Sequence, residues 1–157
     1  MRKRLIEKTS QNSLPETSNW LDLQLLAEVE FTSEQNAYPI ESALLLIDGP
    51  GWRAADPGLQ EVRILFTQPQ ALKRIQLKFV ETVAKRTQEF VIRWSADQGR
   101  TFQEIVRQQW NFSPDGSTVE IEDYPLDLVG VTALELAITP EIGGGEAFAA
   151  LAQLRLA

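Results

Sequence analysis

The sequence predicts an all-β protein, with about eight antiparallel strands arranged as a sandwich or a barrel. Apolar residues alternate with polar ones in short runs, which is the pattern of strands that bury one face. Clusters of Gly, Pro, Asn and Asp separate these runs and are typical of turns. No segment repeats at a fixed period, which argues against a propeller or a solenoid.

The first third of the chain is its least regular part. Residues 1–19 are polar and lack a sustained period, so we predict a flexible arm that precedes a single domain at residues 20–157. Residues 20–31 fit a helix or a strand, and we favour a strand that begins near Leu23. Residues 39–47 fit either a helical turn or a short buried strand.

Residues 48–58 form the longest predicted loop. They contain three Gly and two Pro, a composition that predicts irregular backbone. Long loops are often functional, and the presence of Trp52 favours a functional role for this one.

From residue 60 onward the pattern is that of strands. Residues 62–66 and 75–79 alternate apolar with polar side chains, and Pro69 lies between them, so we predict two adjacent antiparallel strands. Further strands are predicted at residues 90–96, 104–110, 119–122, 134–138 and 148–156.

The segment from Phe90 to Phe102 carries the strongest strand signal. Phe90, Ile92 and Trp94 share one face of an extended chain, so this face is predicted to lie in the core. A tight turn follows, in which Gly99 supplies a positive φ. Trp110, on the next predicted strand, is expected in the core or at its rim.

Composition excludes most familiar catalytic and metal sites. The chain has no Cys and no His, so disulfides, thiolate metal sites and histidine bases are absent. A pair of carboxylates can hydrolyse a glycoside, but no motif singles out a pair among the 22 acidic residues. We therefore predict that the protein is not an enzyme.

The charge distribution argues against nucleic acid and membrane partners. The formal net charge is −7, and the first eight residues are basic, so the rest of the chain is more acidic still and repels phosphate backbones. No stretch is long and apolar enough to span a membrane. The basic start lacks the apolar region of a secretion signal, so we expect a cytoplasmic protein.

Four landmarks occur in a characteristic order. They are Ala43-Leu44 before Asp48-Gly49 and Trp52, Gln60 to Ile64 before Pro69 and Ile75 to Leu77, Trp94 to Gly99 before Phe102, and Leu134 to Leu136 with the terminal Leu151 to Leu156. Their order and spacing resemble the galactose-binding-like family, which includes discoidin domains, coagulation-factor type C domains and many carbohydrate-binding modules. The resemblance covers residues 23–157 and implies an eight-stranded antiparallel jelly-roll β-sandwich that binds ligands through loops at one end.

The resemblance also implies a structural calcium ion, held by a loop like residues 48–52 together with an acidic residue near the C-terminus. Here Gln153 occupies the position where a carboxylate is expected. Because calcium prefers several oxygen ligands that include carboxylates, we predict no cofactor. Asp48 is interpreted as a turn-forming residue rather than a calcium ligand.

Strand parity predicts a ligand site at one rim of the sandwich. If successive strands alternate in direction, the loops at residues 32–59, 81–88, 111–117 and 140–147 gather at one end. A sugar site needs aromatic faces together with planar hydrogen-bonding groups. The rim residues of these types are Tyr38, Trp52, Arg53, Lys85, Arg86, Asn111, Phe112 and Asp115.

We therefore predict a carbohydrate-binding module with a site formed by five of these residues. Trp52 is expected to stack on the sugar, Arg53 and Arg86 to form hydrogen bonds, and Asn111 to fix orientation, with Tyr38 also in the site. Trp52 has an alternative role, in which its side chain folds back and closes the end of the sandwich. The alternative function is an intracellular protein-interaction domain of the same fold, whose acidic surface favours a basic partner.

Overall fold

The computed structural model describes residues 19–157, so nearly all of the predicted arm lies outside the described residues. This part of the chain contains two single-turn helices and eight strands. They are α1 (Leu23–Leu26), β1 (Ala27–Phe31), α2 (Glu41–Leu44), β2 (Trp52–Pro57), β3 (Gln60–Val80), β4 (Arg86–Ser95), β5 (Gln103–Phe112), β6 (Val119–Thr139), β7 (Phe148–Leu151) and β8 (Gln153–Leu156). All pairings between strands are antiparallel, and the predicted all-β sandwich is confirmed.

Strands β3 and β6 form one long ribbon that contributes to both layers of the sandwich. Each strand has 21 residues. The first half of β3 pairs with the second half of β6 and with β1, whereas the second half of β3 pairs with the first half of β6 and with β8. Register shifts lie between the two halves, and such irregularities let a strand bend from one sheet into another. One layer is therefore β1-β3-β6-β4-β5, and the other is β8-β3-β6.

The predicted pairing of residues 62–66 with residues 75–79 is wrong. Both segments belong to β3, and both pair with β6 rather than with each other. Pro69 does not end the strand, because it falls at the register shift, where a missing N–H disrupts no regular ladder. Conversely, the predicted strand at residues 148–156 is divided at Ala152 into β7 and β8, which join different sheets.

The core lies between the two layers. Phe79, from the second half of β3, stacks on Phe90 of β4 with 5.4 Å between the ring centroids. Phe90 and Ile92 are fully buried, as predicted, and Trp94 is partly buried against the same core. The turn predicted after this strand is present, with Gly99 at a φ of 84°.

The outer face of the larger layer carries a row of alternating charges across all five strands. In register order the row is Glu30, Arg63, Glu135, Arg93 and Glu104. Glu135 is buried at its centre, where it accepts hydrogen bonds from Arg63 Nε at 2.8 Å and from Arg93 Nη1 at 3.2 Å. Opposite charges on facing strands stabilise this register, because a one-residue slip would separate every pair.

The segments before β3 differ from prediction in two places. The chain forms α1 at Leu23–Leu26, capped by Asp22, whose Oδ1 accepts a hydrogen bond from Gln24 N, and β1 begins only at Ala27. The helical turn considered for residues 39–47 is present as α2. Residues 48–58 were predicted to be irregular, but Trp52–Pro57 forms β2, because β7 supplies the partner strand.

Two glycines let the loop before β2 pass close to its neighbours. A Cβ at Gly49 would overlap Ser42 Oγ, which accepts a hydrogen bond from Gly51 N at 3.0 Å. Gly51 has a φ of 85°, and a Cβ there would lie 2.8 Å from Leu151 O. Gly58 has a similar φ of 83° but has open space around it.

We predict that Gly51→Ala destabilises the protein more than Gly58→Ala does. Both substitutions place alanine at a positive φ, which costs about 1–2 kcal/mol. Only Gly51→Ala also forces a methyl group against the backbone of β7, so we expect a further loss of about 1–3 kcal/mol. Urea unfolding of the two variants measures the difference, and equal losses would show that β7 moves aside at no cost.

Candidate functional site

A cleft of about 670 Å³ lies between the β2–β7 pair and the loop that follows β3. Its walls include residues 81–84 of that loop, residues 146–151 around β7, and the start of β8. The polar and aromatic residues that line it are Gln35, Trp52, Arg53, Lys78, Glu81, Thr82, Arg86, Glu146, Phe148 and Gln153. Trp52 and Arg86 are buried in its wall. This volume is in the range of pockets that hold small ligands.

The pairing of β2 with β7 decides which side chains face this cleft. Trp52 is opposite Leu151, and both point into the core, where they are buried. Arg53 is opposite Ala150, so these two face outward. Phe148, which pairs with Pro57, is 45% exposed and lines the cleft. Arg53, Ala150 and Phe148 all line the cleft.

Arg53 and Tyr38 lie together, but of the two only Arg53 lines the cleft. The Arg53 guanidinium carbon is 4.2 Å from the centroid of the Tyr38 ring. Backbone hydrogen bonds hold this arrangement, from Arg53 N to Tyr38 O at 3.2 Å and from Gln35 N to Arg53 O at 2.9 Å. Within residues 19–157, Arg53 forms no ion pair with a carboxylate. Its guanidinium is therefore available to a ligand.

The predicted stacking role of Trp52 is wrong. Its side chain is 1% exposed, and its Nε1 donates a hydrogen bond to Ser33 O at 2.9 Å. A ring packed in this way offers no face to a sugar. The geometry fits the alternative role, in which Trp52 closes the end of the sandwich.

The ligand contact of Arg86 stays a prediction: the residue lines the cleft, but its side chain is buried, and its Nε and Nη1 are engaged within the protein. Nε donates to Glu81 Oε1 at 2.7 Å, and Nη1 donates to Gln88 Oε1 at 3.2 Å and to Pro140 O at 2.9 Å. The guanidinium also lies 4.9 Å from the centroid of the buried Phe112 ring. Arg86 therefore holds the loop after β3 to neighbouring segments.

Glu81 is fixed by the same contacts. Burial acts to raise the pKa of Glu81, but hydrogen bonds from Arg86 and from the backbone N–H groups of Val83 and Ala84 outweigh it, so the pKa is lowered. The carboxylate is thus ionised and caps the loop that forms one wall of the cleft.

Asn111 lies outside the cleft, on the strand that pairs with the Arg86 strand. It is exposed on β5, where its Oδ1 accepts a hydrogen bond from Thr87 Oγ1 at 2.6 Å, and it does not line the cleft. Of the remaining rim residues, Lys85 and Asp115 are exposed and also lie outside the cleft lining. The sequence analysis missed Phe148. The signal that could have found it is the alternation of Ala149 and Leu151, which places residue 148 on the outward face.

Among the solved structures with the same architecture are several carbohydrate-binding modules. A family 32 module from Clostridium perfringens NanJ, solved with galactose, has a TM-score of 0.56 and 18% identity, with 83% of this chain and 92% of that chain covered. A module from Clostridium perfringens, solved with GalNAc-β-1,3-galactose, has a TM-score of 0.59 and 18% identity, covering 88% and 99%. A pectin-binding module has a TM-score of 0.56 and 18% identity, covering 83% and 89%. This chain has the galactose-binding-like fold.

The assignment of the galactose-binding-like fold rests on solved structures and not on a match to a family model. No family model and no curated protein matches the sequence. Within residues 19–157, no helix is long and apolar enough to cross a membrane. The implied fold is therefore confirmed, while the site described above rests on the geometry of this chain.

A buried glutamate lies on β6, outside the cleft. The Glu120 side chain is fully buried, and its Oε1 accepts a hydrogen bond from Gln88 Nε2 at 3.2 Å. Its Oε2 meets no donor within the described residues. The neighbouring carboxyl is that of Glu122, which also accepts a hydrogen bond from the Tyr124 hydroxyl. Two carboxyl groups can share a hydrogen bond only when one is protonated.

Burial, followed by the Glu122 carboxylate, raises the pKa of Glu120 to about 8 from an ordinary value of 4.5, although Gln88 and the nearby Arg86 oppose this shift. At pH values between 4.5 and about 8, the Glu120 carboxyl is protonated in the folded protein and ionised in the unfolded chain. Stability therefore falls as pH rises through this window, by up to about 1.4 kcal/mol per pH unit. Above about pH 8, the effect of Glu120 on stability no longer changes with pH.

We predict that Glu120→Gln removes this part of the pH dependence. The amide is neutral at every pH and can donate to Glu122, so the variant should be more stable than the wild type near the upper end of the window. Urea unfolding across the window measures the slope. The exposed Glu104→Gln is the matched control, and an unchanged slope in Glu120→Gln would contradict a protonated Glu120.

Proposed function

We propose that this chain is a non-catalytic carbohydrate-binding module whose ligand occupies the cleft between β2–β7 and the loop after β3. The observation that carries the proposal is that the exposed Phe148 ring and the Arg53 guanidinium, which has no carboxylate partner among the described residues, line the same cleft. Sugars present an apolar CH face to aromatic rings and hydroxyl groups to planar donors. The modules of the same fold that bind galactose, GalNAc-β-1,3-galactose and pectin support this assignment.

Each lining residue has a chemical role in this proposal. Phe148 packs against the apolar face of the sugar, and Arg53 donates hydrogen bonds to hydroxyl oxygens. Gln35 donates through Nε2 to Ala54 O at 2.9 Å, which leaves its Oε1 to accept from a sugar hydroxyl. Lys78 and Glu146 add a donor and an acceptor at the cleft walls. Tyr38 keeps Arg53 in place by lying under its guanidinium.

The state of Glu81, one of the acids that line the cleft, favours binding over hydrolysis. A glycosidase needs a carboxyl group with a raised pKa as general acid. Glu81 instead has a lowered pKa and is engaged by Arg86. Glu120, whose pKa is raised, lies outside the cleft lining.

Protein interaction is the second candidate function, and an exposed apolar surface that adjoins the cleft through Val80 and Val83 favours it. Val80 and Val119 face each other across the β3–β6 ladder on the outside of the smaller layer, and Ile121 lies two residues further along. All three are exposed, as is Val83 in the adjoining loop. Exposed aliphatic groups of this kind are typical of docking surfaces.

The cytoplasmic location expected from the sequence stays a prediction.

We predict that Phe148→Ala abolishes sugar binding and leaves the unfolding temperature nearly unchanged, because the ring is half exposed. Isothermal titration calorimetry against galactose, GalNAc, polygalacturonate and chitosan oligosaccharides measures binding. Phe31→Ala is the matched control, since Phe31 is 39% exposed and lies away from the cleft. An equal loss of sugar affinity in both variants, or undiminished binding by Phe148→Ala, would contradict the stacking role of Phe148.

We further predict opposite effects for Trp52 and Arg53. Trp52→Ala should lower the free energy of unfolding by about 3–5 kcal/mol, because it empties a buried site. Arg53→Gln should weaken sugar binding with little change in stability, because the side chain is exposed. Urea unfolding and calorimetry on both variants separate the two effects. A wild type that binds no saccharide in the panel would shift support to the protein-interaction candidate.

A further inference from the structure

Arg155 of β8 is buried in an unusual setting for a charged side chain. It is 7% exposed, and its Nη1 donates hydrogen bonds to Ala43 O and to Leu154 O, both at 2.9 Å. Burial lowers the pKa of Arg155, and the Asp48 carboxylate opposes this effect. Asp48 and Arg155 also line the same cleft of about 360 Å³. The guanidinium thus joins α2 and the segment after it to the last strand.

These two chain segments are the ones that the structural calcium ion implied by the resemblance would join. The residues present do not fit that ion. Ala43 O, a carbonyl at the centre of the contact, already accepts a hydrogen bond from Arg155. Gln153 supplies an amide where a carboxylate is expected, and Ser42 Oγ fills the inside of the following loop by accepting from Gly51 N. A dication beside a guanidinium would also be repelled by it.

We propose that the Arg155 guanidinium is a built-in cation that takes the structural place of a metal ion. An arginine is always charged and offers several directed donors, so it can satisfy buried carbonyl groups and balance a nearby carboxylate. The segment it fixes continues through Gly49 and Pro50, which line the larger cleft, into Trp52 and Arg53. The fold and the wall of the larger cleft are therefore independent of calcium.

Thermal unfolding of the full chain tests this proposal without reference to any sugar. The wild-type unfolding temperature should be the same in millimolar CaCl₂ and in EDTA, because a ligand that binds only the folded state would raise it. Arg155→Met should lower the unfolding temperature by on the order of 10 °C, because it leaves buried polar groups without a cation. Arg155→Lys, which keeps the charge, should lose less.

Arg107→Gln is the control, since Arg107 is an exposed arginine paired with Glu89 and Glu104 on the other layer. A rise in the wild-type unfolding temperature with CaCl₂ would overturn the proposal. The proposal would also be overturned if Arg155→Met lowered the unfolding temperature no more than the control does. The same holds if Arg155→Lys lowered it as much as Arg155→Met does. If Arg155→Met does not fold, the wild-type calcium titration and Arg155→Lys still decide the outcome.

Discussion

The pairing of β3 with β6 is the interaction on which the rest of the structure depends. Because both strands run through both layers, their halves provide the edges to which β1, β4 and β8 are added. The buried positions of β3 change parity at the register shift, from Val62 and Ile64 to Ile75 and Leu77. Without this change one half would present its polar face to the core. The register shift in β3 therefore accompanies the bend between the two layers and keeps the apolar residues of both halves in the core.

The cleft is a consequence of how the small β2–β7 sheet closes one part of this core. Trp52 and Leu151 fill the space between the layers, and the alternation of the strands then turns Arg53 and Phe148 outward. Successive side chains of a strand point to opposite faces, so neighbours of the buried Trp52 and Leu151 point away from the core. The burial of Trp52 and the exposure of Phe148 therefore have the same cause.

Local patterns predicted the features that depend on local chain geometry. The Phe90 strand, the Gly99 turn and the all-β class follow from alternation and turn chemistry, which act over a few residues. The continuity of β3 through Pro69 and the presence of β2 in a segment rich in Gly and Pro do not, because each depends on a partner far away in sequence. The same limit explains Trp52, whose burial is decided by Leu151 and Ser33 rather than by its neighbours in the loop.

Arginine shows most clearly why residue type alone could not locate the site. Arg86 is buried against a carboxylate and a carbonyl, and Arg155 is buried against two carbonyls, so folding has already used donors of both. Arg53 rests on an aromatic ring and has no carboxylate partner among the described residues. Since a ligand can bind only groups whose hydrogen-bonding capacity remains after folding, Arg53 is suited to recognition and the other two to holding the scaffold.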